Sequence, residues 1–235
     1  DGGWSGMGPA LFAYRPWDDA DDLAAPGARL DATTLLLYES SMQSESLTRG
    51  AMTGYQHPDE WEGGAWITAP TGKEAVVFAG TKGTGDRFWY GWVHPDGPEL
   101  PCVETALVGE FTVCWNADGT PCSESELRGC TGHSDYRGWW SSRFAAWLLF
   151  YDPAELAQVA AGDLSPSSPQ PYAWLDIDRH LFLTGDRLEP EMLGQGQQRR
   201  ARMGAAAFDP EAARLYVLEL FADAAKPVVH VFGVS

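Results

Sequence analysis

Residues 203–234 read MGAAAF-DPEAAR-LYVLEL-FADAAKP-VVHVFGV. Three short apolar runs, 203–208, 215–220 and 228–234, are separated by two segments punctuated by Asp, Pro and Ala. Val, Tyr and Phe suit a pleated, half-buried surface. Pro presets φ and Asp bonds its own backbone, so Asp209-Pro210 opens a turn for a physical reason. This stretch therefore predicts three antiparallel strands joined by short turns, the pattern of a propeller blade.

Working outward, the same pattern recurs. Residues 64–69 (GAWITA) and 75–80 (AVVFAG) flank a turn at 70–73 and predict a hairpin. Residues 144–151 (FAAWLLFY) and 170–177 (QPYAWLDI) complete that earlier copy after a long interruption. A third copy begins at 9–14 (PALFAY) and 33–39 (TTLLLYE), and 88–93 (FWYGWV) is a further aromatic strand. Between 152 and 161 the chain predicts a short helix, with Asp152 as N-cap and Pro153 at the first helical position. Residues 80–90 predict a Gly-rich hairpin end, and 195–202 a polar loop. About three units result, whereas propellers close with roughly four to eight blades. The expected fold is all-β: one domain over 1–235, built from propeller-like four-stranded blades in an incomplete or shared ring. A β-sandwich is the alternative, because many short strands with regular turns suit both.

The interruption, 94–136, holds all four cysteines: Cys102, Cys114, Cys122 and Cys130. The close C-x2-C pairs of structural zinc sites are absent. Two disulfides in an oxidising compartment are the expectation. Three pairings are open; neighbours, Cys102 with Cys114 and Cys122 with Cys130, are favoured. The region reads as a stapled insertion on a loop, with a small strand at 110–115.

The chain carries 33 acidic against 16 basic residues, a net charge of −17. That balance repels phosphate backbones and argues against nucleic acid, while it favours a divalent cation such as calcium. No run approaches the roughly 20 apolar residues that span a bilayer as a helix. The chain begins Asp1-Gly2-Gly3-Trp4, which reads as a trimmed terminus or a piece of a longer chain. With the cysteines, this predicts a secreted, cell-surface or periplasmic location.

The segments 9–14 (PALFAY), 63–66 (GGAW), 80–85 (GTKGTG), 137–140 (RGWW), 150–153 (FYDP) and 230–232 (HVF) resemble a group of secreted bacterial proteins with a propeller-like C-terminal region. The resemblance spans nearly the whole chain. It implies the C-terminal part of a longer precursor, and it implies no activity.

Three constellations hold the candidate chemistry. Residues 55–66 (YQHPDEWEGGAW) place Tyr55, His57, Asp59, Glu60 and Trp61 before a strand. His57 and Asp59 form a possible metal pair, and Asp59 with Glu60 a possible acid/base pair, joined by Asp86. Residues 80–90 bring Lys82, Trp89 and Tyr90; they lack the G-x-x-x-x-G-K-[ST] pattern of a phosphate loop. Residues 136–140 bring Arg137, Trp139 and Trp140, an aromatic and guanidinium platform. Trp and Tyr stack on sugar rings as readily as they fill cores. Asp18, Asp19, Asp21 and Asp22 do not follow EF-hand spacing, and no nucleophile elbow or H-E-x-x-H occurs. His94, His133 and His180 are scattered, and His230 among valines reads as structural. The expected function is binding of carbohydrate or a cell-surface polymer. The alternatives are a polysaccharide hydrolase or lyase acting through Asp59, Glu60 and Asp86, and an adhesive component completed by another chain or by upstream blades.

Overall fold

The computed structural model describes residues 6–17, 23–40, 50–91, 102–104, 112–114, 138–182, 201–223 and 226–235; for 86–91, 102–104, 112–114, 138–140 and 142 it describes the backbone alone. The strands in chain order are β1 (Leu11–Tyr14), β2 (Ala32–Leu36), β3 (Glu60–Thr68), β4 (Glu74–Gly91), β5 (Cys102–Glu104), β6 (Thr112–Cys114), β7 (Gly138–Tyr151), β8 (Ala173–Asp176), β9 (Arg202–Asp209), β10 (Arg214–Asp223) and β11 (Lys226–Gly233). Among the described residues one α-helix, α1 (Pro153–Ala161), lies between β7 and β8. Most of the described residues are in strands, as expected.

All strand pairs are antiparallel. One sheet runs β3-β4-β7-β8, a second β11-β10-β9, and β1-β2 and β5-β6 form two-stranded pairs. The expected earlier copy is therefore one four-stranded sheet, with the Cys-containing residues inserted between its second and third strands. Residues 203–234 form the three expected strands. Among the described residues no sheet closes on itself and no ring of blades forms.

Strand β4 explains why 75–80 is continuously apolar: both its faces are covered. On one face Ala75, Val77 and Ala79, with Ala146 and Leu148 of β7, pack against Met203, Leu215 and Val217 of the three-stranded sheet. On the other, Val76, Phe78, Leu149 and Tyr151 pack under Met7, Leu36, Tyr38, Met52 and Leu156. Each large side chain so buried contributes on the order of 1.5–3 kcal/mol. Tyr38 Oη donates to the Pro169 carbonyl at 2.6 Å and shares a 3.0 Å hydrogen bond with Tyr151 Oη, which satisfies two buried hydroxyls.

The two sheets meet most closely where β3 crosses β9. A Cβ on Gly63 would fall deep inside contact distance of the Gly204 carbonyl oxygen and the Ala206 nitrogen. Only glycine lets the two backbones approach this far.

Two expectations on elements need comment. Helix α1 is as predicted: Asp152 Oδ1 accepts from Ala154 N at 2.8 Å, and Gly162 ends the helix at φ 84°. Residues 80–90 are not a hairpin end; β4 runs through them to Gly91. The glycines serve packing instead. A Cβ on Gly80 would strike the Glu60 carbonyl and the Trp61 ring, and one on Gly83 would strike Ser141 Oγ. Gly85, at φ 101°, lies in the irregular stretch between Thr84 and Phe88 where the β4–β7 register shifts.

Candidate functional site

The segment before β3 folds into a tight turn. Asp59 N donates to Gln56 O at 2.9 Å, and Gln56 N donates back to Asp59 Oδ2 at 3.1 Å. Asp59 Oδ1 then accepts from Lys82 Nζ at 3.0 Å and from Gly83 N at 2.8 Å. Ser141 Oγ donates to Gln56 Oε1 at 2.5 Å, and Gln56 Nε2 donates to Gly85 O at 3.0 Å. The turn is thereby stapled to β4 and β7.

Asp59 and Lys82 are both buried. Burial pushes the Asp59 carboxyl up to about 6 despite the ammonium beside it, and burial lowers Lys82 from its usual range. Lys82 Nζ also sits 5.9 Å from the centroid of the Trp147 ring, a cation–π distance.

These contacts bear on the predicted chemistry. Asp59 already accepts from an ammonium and two backbone N–H groups, so its oxygens face donors rather than a metal ion or a substrate. His57 is fully buried, with its ring 5.4 Å from that of Tyr55. Among the described residues no three His, Cys, Asp or Glu side chains gather into a metal site. Glu60 is paired with Arg202 of β9, so the two adjacent acids engage separate cations. Asp86 lies on β4, where the backbone alone is described.

The aromatic motifs at 80–90 and 136–140 do converge in the backbone. Trp89 stands opposite Trp140, and Tyr90 opposite Trp139, on the β4–β7 ribbon. Cys102 stands opposite Cys114 on the β5–β6 pair. Arg137, Cys122, Cys130, His94, His133 and the acidic run Asp18, Asp19, Asp21 and Asp22 lie outside the described residues. His230 has a structural partner: its Nε2 lies 2.6 Å from Glu219 Oε2, which also accepts from Phe182 N at 2.7 Å.

Among the described residues a groove of about 330 Å³ runs along β3. Trp61 and Trp66 lie along it, Gly64, Val76 and Phe78 form its floor, and residues 9–11 form the opposite wall. Trp66 is 49% exposed, which is unusual for so large an apolar ring. In a regular strand, residues five apart point to opposite faces. The register shift between Trp61 and Gly63 adds one residue and returns both indoles to the same face.

Trp61 is among the expected ligand-binding residues, and Glu62, at the rim, and Trp66 lie in the same 55–66 stretch; that the two indoles share a face depends on the bulge, which the sequence does not announce. On the same face, Trp61 and Trp147 flank Gly80 across β3, β4 and β7. Trp147 stacks on the 62% exposed Trp174 with ring centroids 5.7 Å apart. Trp61 and Trp147 are half-buried against the core on this face, and Trp66 and Trp174 are the exposed indoles at its two ends.

Comparison with models of known protein families, with curated proteins and with solved structures returns no match. No helix among the described residues is long and apolar enough to cross a membrane.

Proposed function

We propose that this chain is an extracellular carbohydrate-binding protein whose ligand lies in the β3 groove. The observation that carries this reading is the pair Trp61 and Trp66 along one shallow groove with an apolar floor. The volume is at the lower end of the range for small-molecule sites, which suits one or two sugar rings. Flat aromatic surface stacks on the C–H faces of a pyranose, while the ring hydroxyls stay in water at the open side. Asp59 and Glu60 are held by cations away from this groove, so binding rather than hydrolysis is the reading favoured.

The two stacked antiparallel sheets support a reading as successive propeller-like blades, with the ring completed by further blades or by another chain. Secretion fits an acidic chain with clustered cysteines.

The test is a glycan array followed by titration of intrinsic tryptophan fluorescence. A carbohydrate that binds wild type and binds Trp66→Ala at least tenfold more weakly is the expected result. Absence of binding to every glycan class would remove the proposal.

A further inference from the structure

Within the carbohydrate reading, on which this inference rests, we infer that the groove selects glycans bearing a protonated amine over neutral and carboxylated ones. Among the described residues one ionisable group lines it: Glu62, whose side chain is exposed at the rim. Among the described residues Glu62 makes no ion pair; the nearby cation Arg202 is held by Glu60. Among the described residues no Lys, Arg or His lines the groove. A uronic acid or a sulfated sugar would therefore meet a carboxylate and no counter-charge.

The indoles add to this preference. A ring face carries negative quadrupole density and attracts a cation lying over it, and two such rings with an acidic rim are the elements of a cation-selective aromatic site. The overall charge of −17 acts in the same direction by raising the local concentration of cationic ligands. Glu62 is solvated, so its own effect is a small factor that salt screens. Together with the indoles it supports a preference on the order of tenfold.

The experiment compares three probes of equal length: glucosamine oligomers, the same oligomers fully N-acetylated, and oligogalacturonate. Each is titrated against the whole chain at low and at high salt, below the pH at which the amine loses its proton. The expected order is amine above acetylated above carboxylated, with the gap narrowing at high salt. Glu62→Gln should narrow the gap between the amine and the acetylated oligomer about as far as high salt does, the indoles carrying the remainder. Trp66→Ala should weaken all binding.

Acetylated oligomers that bind as tightly as the free amine, or a preference that neither high salt nor Glu62→Gln diminishes, would overturn the inference while leaving the groove as a sugar site. If no oligomer binds and the glycan array is also blank, the underlying reading fails and this inference goes with it.

Discussion

Asp59 Oδ1 lies 3.0 Å from Lys82 Nζ with both side chains buried, and this contact ties the turn before β3 to the centre of the four-stranded sheet. Two charges removed from water cost several kcal/mol, and their attraction offsets only part of this. Asp59→Ala should lower stability by about 3–5 kcal/mol, because the Lys82 ammonium and the Gln56 and Gly83 N–H groups all lose a buried acceptor. Asp59→Ala combined with Lys82→Met should cost less than the sum of the two single changes. Denaturant melts of the two single variants and the double variant measure the coupling; additive losses would show that the pair is not a unit.

The same pair predicts a pH dependence. The folded carboxyl is raised to about 6, above its unfolded value, because burial outweighs the help from Lys82. A raised pKa means that the folded state takes up the proton first. Asp59's own contribution is therefore fully present below the unfolded value and is lost as pH rises through about 6. The stability of wild type relative to Asp59→Asn should fall between pH ~4 and ~6.5 and then level off. Melting curves across that range, wild type against variant, check the sign.

Gly63 and Gly64 are adjacent yet should respond differently to alanine. A Cβ at 63 collides with the β9 backbone, which cannot yield without separating the sheets, whereas one at 64 only touches the edge of the Phe78 ring. Gly63→Ala should cost about 3 kcal/mol or prevent folding, and Gly64→Ala about 1 kcal/mol or less. Paired thermal melts make the comparison. Equal effects would show that the sheets are not in backbone contact there.

The register that sets Cys102 opposite Cys114 gives a backbone separation within reach of a disulfide, since directly opposed antiparallel residues have Cα atoms ~4.5–5.5 Å apart. Peptide mapping of the non-reduced protein should recover a Cys102–Cys114 linked fragment. A map joining Cys102 to Cys122 or Cys130 instead would contradict this pairing.

Much of the fold was legible because both periodicities were present. The run at 75–80 and the strands of 203–234 carry their own turn chemistry, and Asp152-Pro153 announced α1. The glycines of 80–85 misled, because glycine marks either a turn or a close approach and the sequence does not say which. The Gly83–Ser141 and Gly80–Trp61 contacts that decide the matter come from residues far apart in the chain or across a bulge. The site was half legible for the same kind of reason. Trp61 and Trp66 have the wrong spacing to share a face, and the bulge that corrects it has no sequence mark beyond Gly63-Gly64. Asp59 also holds the turn to the sheet through Lys82, a partner on the next strand that the local sequence does not mark.

Gly91 and Gly138 stand directly opposite each other at the far end of the β4–β7 ribbon. The chain leaves the sheet at Gly91 and returns to it at Gly138, so these two ends make a single doorway. Closing so long a connection in place of a four-residue turn costs only about 2 kcal/mol of chain entropy. The doorway is thus a natural grafting point: cargo of very different length can be exchanged there while the strands keep the same partners. Evolution can vary what the sheet carries at that end without renegotiating the core or the β3 groove.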